Sequence, residues 1–232
     1  MQQAILDQLL KDRAEKVPVV LATNLKTGAQ TLLYLYGKKG SAGWPHEVAE
    51  AARTALRHDR STTIETAAGP VFVNAFNPSL RLIAVGAVHI TQVLAPMAAL
   101  AGYEVTVIDP RSAFATAARF GGFSLRSDWP DEAMADLKPD LRTAIVTLTH
   151  DPKLDDPALA AALRSDAFYI GALGSKKTHA ARLERLRGLG FSDNELARIH
   201  GPIGLSIGAK SPAEIAVSIL AEATRELRQE AA

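Results

Sequence analysis

The stretch Leu80-Arg-Leu-Ile-Ala-Val-Gly86-Ala-Val88-His89-Ile-Thr91 decides the fold. Its first six residues are apolar except for Arg81 and lack the strict alternation of a strand with one wet face. Such a run suits a strand covered on both sides, as in a parallel sheet. Gly86 then permits a tight turn, and a helix is expected over Thr91–Ala101. A strand, a glycine turn and a helix in that order offer free N–H groups and the positive end of a helix dipole to a bound phosphate.

Toward the C-terminus the same alternation continues. Strands are expected at Leu80–Val85, Glu104–Asp109, Phe123–Arg126, Thr143–Thr149 and Ala167–Leu173. Helices are expected at Ala113–Arg119, Asp131–Leu137, Asp156–Arg164 and Lys176–Leu189. Alternating strands and helices are the mark of βαβ units and a parallel sheet. Ser192 with Glu195, and Ser211-Pro212 with Glu214, have the spacing of capping boxes, and the second opens a last helix running to about Gln229. Toward the N-terminus the pattern differs: a helix, β-rich runs at Val17–Thr23 and Gln30–Tyr36, a helix over Pro45–His58, and β-rich runs at Ser61–Thr66 and Val71–Phe76. Asn77-Pro78-Ser79 makes a boundary, since proline cannot continue a sheet ladder. The fold class is therefore α/β: a Rossmann-like parallel sheet with helices on both faces over residues 78–232, preceded by a small α+β module over residues 1–77.

Composition limits the function. The 26 basic and 25 acidic residues of the 232 nearly cancel and are scattered, so nothing asks for nucleic acid or a charged membrane. The absence of cysteine excludes disulfides and thiolate metal sites and fits a reducing cytoplasm. No apolar stretch approaches the roughly 20 residues of a spanning helix, and the N-terminal helix lacks the apolar core of a signal peptide.

Several residues can carry chemistry. In the usual Gly-x-Gly-x-x-Gly turn the second and third glycines are here Val88 and Thr91, and a β-branched Val88 obstructs a pyrophosphate. Asp109 ends the next strand 23 residues after Gly86, where an acid binds a ribose hydroxyl. With Arg111 it reads either as a ligand contact or as an ion pair capping the following helix. His89 sits at the ligand-binding end of the sheet, with helix-start hydrogen bonding as the plainer role. His150 and Asp151 close a strand and suit a base, a metal ligand or a turn, while no second histidine stands at metal spacing and no serine occupies a nucleophile elbow. Gly171, Gly174 and Ser175, followed by Lys176 and Lys177, form a second glycine-rich turn that suits an anion, or else a Ser175 cap with two solvated lysines. Gly204 and Gly208 lie in a third such segment.

Five segments, VGAVHI, VTVIDPR, LTHDPKLDD, YIGALGSKKTHAARLERL and RIHGPIGLSIGAKSPAEIAVSILAE, together resemble the XdhC/CoxI family of maturation factors for molybdenum hydroxylases. The resemblance runs in family order over about 150 residues. It implies a chaperone that binds molybdopterin, the molybdenum cofactor, protects it during sulfuration and delivers it to a xanthine dehydrogenase or CO dehydrogenase. The implied partners are that hydroxylase, a cysteine desulfurase, a longer XdhC paralogue and a second copy of the chain. Carried over by position, the binding residues are Gly86, His89, Asp109, Arg111, His150, Asp151, Gly171, Gly174, Ser175, Gly204 and Gly208, with no catalytic or metal-ligating residue. Val88 departs from the family turn and counts against NAD(P). The first 77 residues lack the family's longer N-terminal module with its cysteine, so the chain reads as a short variant. The competing functions are an NAD(P)-dependent oxidoreductase using Asp109 with His89 or His150, and a nucleotide-sensing regulator.

Overall fold

The computed structural model describes residues 2–34 and 45–228. The chain divides into two compact units, Met1–Pro78 and Ser79–Ala232.

The first unit contains α1 (Gln3–Ala14), β1 (Val19–Asn24), β2 (Gln30–Leu33), α2 (His46–His58), β3 (Thr62–Ile64) and β4 (Val71–Phe76). Its strands form an antiparallel sheet in the order β2-β1-β4-β3. The β1–β2 reversal is built by Asn24, whose side-chain oxygen accepts the amides of Lys26 and Thr27. One sheet face carries Val20, Ala22, Val71 and Val73, which pack with Val48, Ala52, Ala55 and Leu56 of α2. Of the strand expected over Gln30–Tyr36, the part through Leu33 is present, and Leu35 and Tyr36 lie outside the described residues.

The second unit runs β5 (Leu80–Val85), α3 (His89–Leu100), β6 (Tyr103–Ile108), α4 (Ala117–Phe120), β7 (Ser124–Arg126), α5 (Pro130–Leu137), β8 (Thr143–Thr147), α6 (Pro152–Leu163), β9 (Tyr169–Ala172), α7 (Lys176–Gly188), α8 (Asp193–Leu196), β10 (Ile199–His200) and α9 (Pro212–Arg228). The sheet order is β10-β9-β8-β5-β6-β7, and every pairing is parallel. Counted within this unit from its first strand, that is the Rossmann order 3-2-1-4-5-6. The winding reverses between β5 and β8, the point beyond whose C-terminal strand ends ligands of open α/β sheets bind.

Successive residues of a strand face opposite sides, so β5 divides its side chains between two cores. Leu82 and Ala84 join Leu94 and Ala98 of α3 and Ala216, Ile219 and Ala223 of α9. Ile83 and Val85 join Met134 of α5, Leu159 and Leu163 of α6 and Leu186 of α7. Full burial of each large aliphatic contributes about 1.5–3 kcal/mol, which is why β5 tolerates no alternation.

Several element ends shift by one to three residues from the sequence expectation, and three elements differ more substantially. The helix expected over Ala113–Arg119 is a single turn at Ala117–Phe120. The helix expected from Asp156 begins at Pro152, because Asp151 caps it and proline suits the first helical position. β10, only two residues long, is an addition: Ile199 and His200 pair with Ile170 and Gly171 as the edge strand. The last helix ends at Arg228 among the described residues, and Gln229 lies outside them.

Candidate functional site

The turn between β5 and α3 is held shut by its neighbours. Gly86 has φ +112°, and a Cβ there would come within 2.6 Å of Thr149 Cγ2. Its N–H donates to the Ile108 carbonyl at 2.8 Å, and the next amide, Ala87, donates to Asp109 Oδ2 at 2.8 Å. Arg119 donates to the Ala87 carbonyl at 2.9 Å, to the Phe114 carbonyl at 2.8 Å and to Gln92 Oε1 at 2.9 Å. Val88 is the N-cap residue of α3 with extended backbone, and its half-buried side chain packs against the apolar cluster under α3. His89 opens α3 and is exposed at the rim.

Asp109 does not stand free to meet a ribose. Its side chain is fully buried, and it accepts from Ala87 N–H, Arg111 N–H at 3.0 Å, Arg111 Nε at 2.8 Å and Arg111 Nη2 at 2.8 Å. Four donors use the lone-pair sites of one carboxylate. Burial acts to raise its pKa. The hydrogen bonds from Arg111 and the two amides, with the Arg111 charge, outweigh it and hold the carboxyl below its usual value. The ion-pair alternative describes the geometry: Asp109 ties the end of β6 to the β5–α3 turn. Arg111, bound to Asp109, also lies over the Phe114 ring at 4.6 Å.

The β8–α6 loop has a similar internal logic. His150 is exposed, with φ +62°. Asp151 caps α6 by accepting from Lys153 N–H at 3.0 Å. Thr149 donates from Oγ1 to Asp155 Oδ1 at 2.7 Å. Of the roles open to the histidine–aspartate pair, His150 supplies the turn through its backbone and Asp151 the cap through its side chain. The hydrogen bond to Asp109, and after it the charges of Asp109, Asp151 and Asp155, raise the Arg111 pKa, and this loop and the residues beyond β6 both follow C-terminal ends of strands in the same parallel sheet.

Gly171 lies in β9, where a Cβ would strike Ile203 Cδ1 at 2.5 Å. Gly174 takes φ +146°, and Ser175 caps α7 by accepting from Thr178 N–H at 3.1 Å. Below this turn Arg182 donates to the Leu173 carbonyl at 2.8 Å and faces Asp155 Oδ2 at 3.5 Å. In the β10–α9 segment, Gly204 has φ +89° and donates its N–H to Glu222 Oε2 at 2.8 Å. The same oxygen accepts from Tyr169 at 2.6 Å. Gly208, φ +78°, is exposed with open space around it.

Apart from Gly171, which lies within β9, these segments follow the C-terminal ends of parallel strands, so one edge of the sheet carries them. Gly86, His89, Asp109, Arg111, His150 and Asp151 belong to the switch-point side, and Gly171, Gly174 and Ser175 to the β9 side. Gly204 and Gly208 belong to the edge segment beyond β10, where Gly204 has a structural role. Among the described residues no three histidine or acidic side chains gather as a metal site, and no helix is long and apolar enough to cross a membrane. Arg119, Asp155, Arg182 and Glu222 are rim or near-rim residues outside the expected binding set, although the last three lie inside the quoted segments. For the last two a signal exists: Arg182 is four residues before buried Leu186, and Glu222 three after buried Ile219, each a charge on an apolar helical stripe.

Comparison with known proteins agrees with this architecture. A curated relative from Escherichia coli (strain K12), "Molybdenum cofactor insertion chaperone PaoD", is 34% identical over 160 residues, covering 68% of this chain and 44% of PaoD. A probable xanthine dehydrogenase subunit from Bacillus subtilis (strain 168) is 33% identical over 153 residues, covering 66% of this chain and 44% of its own. The chain thus spans less than half the length of both. A crystal structure described as a xanthine dehydrogenase from Bacillus halodurans shares the fold, with TM-score 0.66 and 22% identity over 96% of this chain and 63% of that one. The family model described as "XdhC Rossmann domain" matches residues 82–223, more than half of the sequence. The chain belongs to the XdhC family, and its larger unit is that family's Rossmann domain.

Proposed function

We propose that this protein binds the molybdenum cofactor at the C-terminal rim of its parallel sheet and passes it to a molybdenum hydroxylase of the xanthine-dehydrogenase or CO-dehydrogenase type. The observation that carries this reading is the closure of Asp109 within the protein. A dinucleotide oxidoreductase needs that acid for a ribose. Here the rim keeps helix N-termini at α3 and α7 while its ribose acceptor is engaged by Arg111 and Ala87. Such a rim suits a phosphate-bearing guest whose organic part needs no ribose contact, and molybdopterin is one. A helix N-terminus stabilises a phosphate by about 0.3–1 kcal/mol when exposed and up to about 2 when partly buried. The name of the PaoD relative supports the same cargo.

In this reading the protein shields the pterin while a cysteine desulfurase, or a longer family member, supplies sulfur to the complex in the cytoplasm. His89 and His150 are then exposed contacts at the mouth of the rim, available to the guest or to the receiving enzyme. The test is reconstitution. A cofactor-free hydroxylase is mixed anaerobically with molybdenum cofactor, with and without this protein, and the rate of activation is followed. Several-fold faster activation is expected. Activation no faster than with an unrelated carrier protein contradicts the proposal.

A further inference from the structure

Arg182 is 1% exposed and is the largest fully buried side chain among the described residues. Its Nη2 is bound to the Leu173 carbonyl, yet its Nε and Nη1 have no hydrogen-bond partner among the described residues. Leaving buried donors of a cation unpaired forfeits their hydration with nothing in return, a larger penalty than for a neutral group. Nη1 lies 3.8 Å from where a Cβ on Gly174 would be, so the free end of the guanidinium sits directly behind the glycine turn that opens α7. α7 is 13 residues long, and of its first amides Thr178 N–H is capped by Ser175. The N–H groups of Lys176 and Lys177 precede any intrahelical acceptor. From the interior the guanidinium, and from the helix end the amides, converge on the Gly174 turn.

We propose that this turn is a phosphate site, in which the Lys176 and Lys177 amides and the guanidinium of Arg182 hold the phosphoryl group of the guest. The proposal deepens the cofactor-binding reading and rests on it for the identity of the guest. The burial of the neighbouring pair supports it. Burial is the largest effect on Asp155 and raises its pKa despite the Thr149 hydrogen bond and the nearby Arg182. Burial likewise lowers that of Arg182. Both directions say that the pair at 3.5 Å fails to offset its own desolvation, and an arginine remains charged regardless. An incoming phosphate supplies the acceptors that Nε and Nη1 lack. Gly174 itself places no side chain there, so the Thr178 side chain, with Cγ2 3.1 Å from the position of an added Cβ, is what an entering phosphate must displace to reach Nη1.

The experiment is an amide and guanidinium NMR titration of the whole protein with inorganic phosphate, repeated with molybdopterin under anaerobic conditions. The expected result is saturable shifts at Gly174, Ser175, Lys176, Lys177 and Arg182 Nε–H. Because Arg182→Met alone strands Asp155, the double variant Arg182→Met with Asp155→Asn is titrated in parallel. It is expected to keep a native spectrum and to bind phosphate at least tenfold more weakly. Shifts confined to the α3 turn, no shift at all, or unchanged phosphate affinity in the folded double variant overturn the site. Pterin bound without these shifts leaves the cargo reading standing and removes this one. Phosphate bound here with no pterin uptake does the reverse. If the double variant does not fold, the location of the wild-type shifts decides.

Discussion

Asp109 shows how one residue can look like a ligand contact and act as a rivet. Its four hydrogen bonds join the β5–α3 turn, the end of β6 and Arg111. Asp109→Asn keeps the shape but weakens the acceptor and leaves Arg111 without its charge partner, so a loss of about 2–4 kcal/mol is expected in urea unfolding. The pH dependence follows in sign. The folded carboxyl titrates below the ordinary aspartate value of 3.8, so its contribution is complete above that value. As the pH falls through the lower folded pKa, the contribution disappears. The wild-type advantage over Asp109→Asn is therefore expected at neutral pH and shrinks in acid. An advantage that grows on acidification contradicts the assignment. Gly86→Ala meets both a positive φ and the Thr149 methyl, and its melting temperature is expected to fall clearly. Gly174→Asp is similarly strained by φ +146° and by Thr178 atoms at 3.1–3.2 Å from an added Cβ, so it tests folding as much as binding.

The helices and strands owe their positions to short local signals joined to a few distant contacts. Ser175→Ala removes the cap from Thr178 N–H and is expected to cost about 1 kcal/mol, read as faster hydrogen exchange over the first turn of α7. Glu222→Ala leaves both the Tyr169 hydroxyl and the Gly204 amide without their acceptor, a loss of about 3 kcal/mol. Exchange at Gly204 is expected to quicken in that variant even where the sheet stays protected. The alternation from Leu80 onward is readable in the sequence because the central strands β5, β8 and β9 are buried along nearly their whole length. The Ser192–Glu195 and Ser211–Glu214 boxes are readable too, and both are present as reciprocal hydrogen bonds. The β10 strand is not, since two residues carry no periodicity. The α6 start is written in Asp151-Pro152, but the neighbouring His150 draws attention to chemistry instead of capping. Asp109 is located at the right strand end. Its saturation is invisible in the sequence because Arg111 folding back on it, and Ala87 pointing at it, depend on three-dimensional closure.

Over the whole molecule, the Rossmann order directs the proposed guest to the C-terminal rim, and the internal pairs there restrict what it can be. Steric exclusion by Val88 explains less than the sequence implies, because its side chain packs toward the apolar cluster. Asp109 supplies the stronger argument against a ribose. With charges nearly cancelling across the chain, selection of the proposed guest would rest on this local rim and not on a broad field. The most direct measurement is anaerobic equilibrium binding of molybdopterin to the purified protein, with NAD and NADP as competitors. Saturable uptake of one pterin per chain, undisturbed by excess dinucleotide, is the predicted result. Failure to retain pterin, or its full displacement by NAD or NADP, contradicts the account.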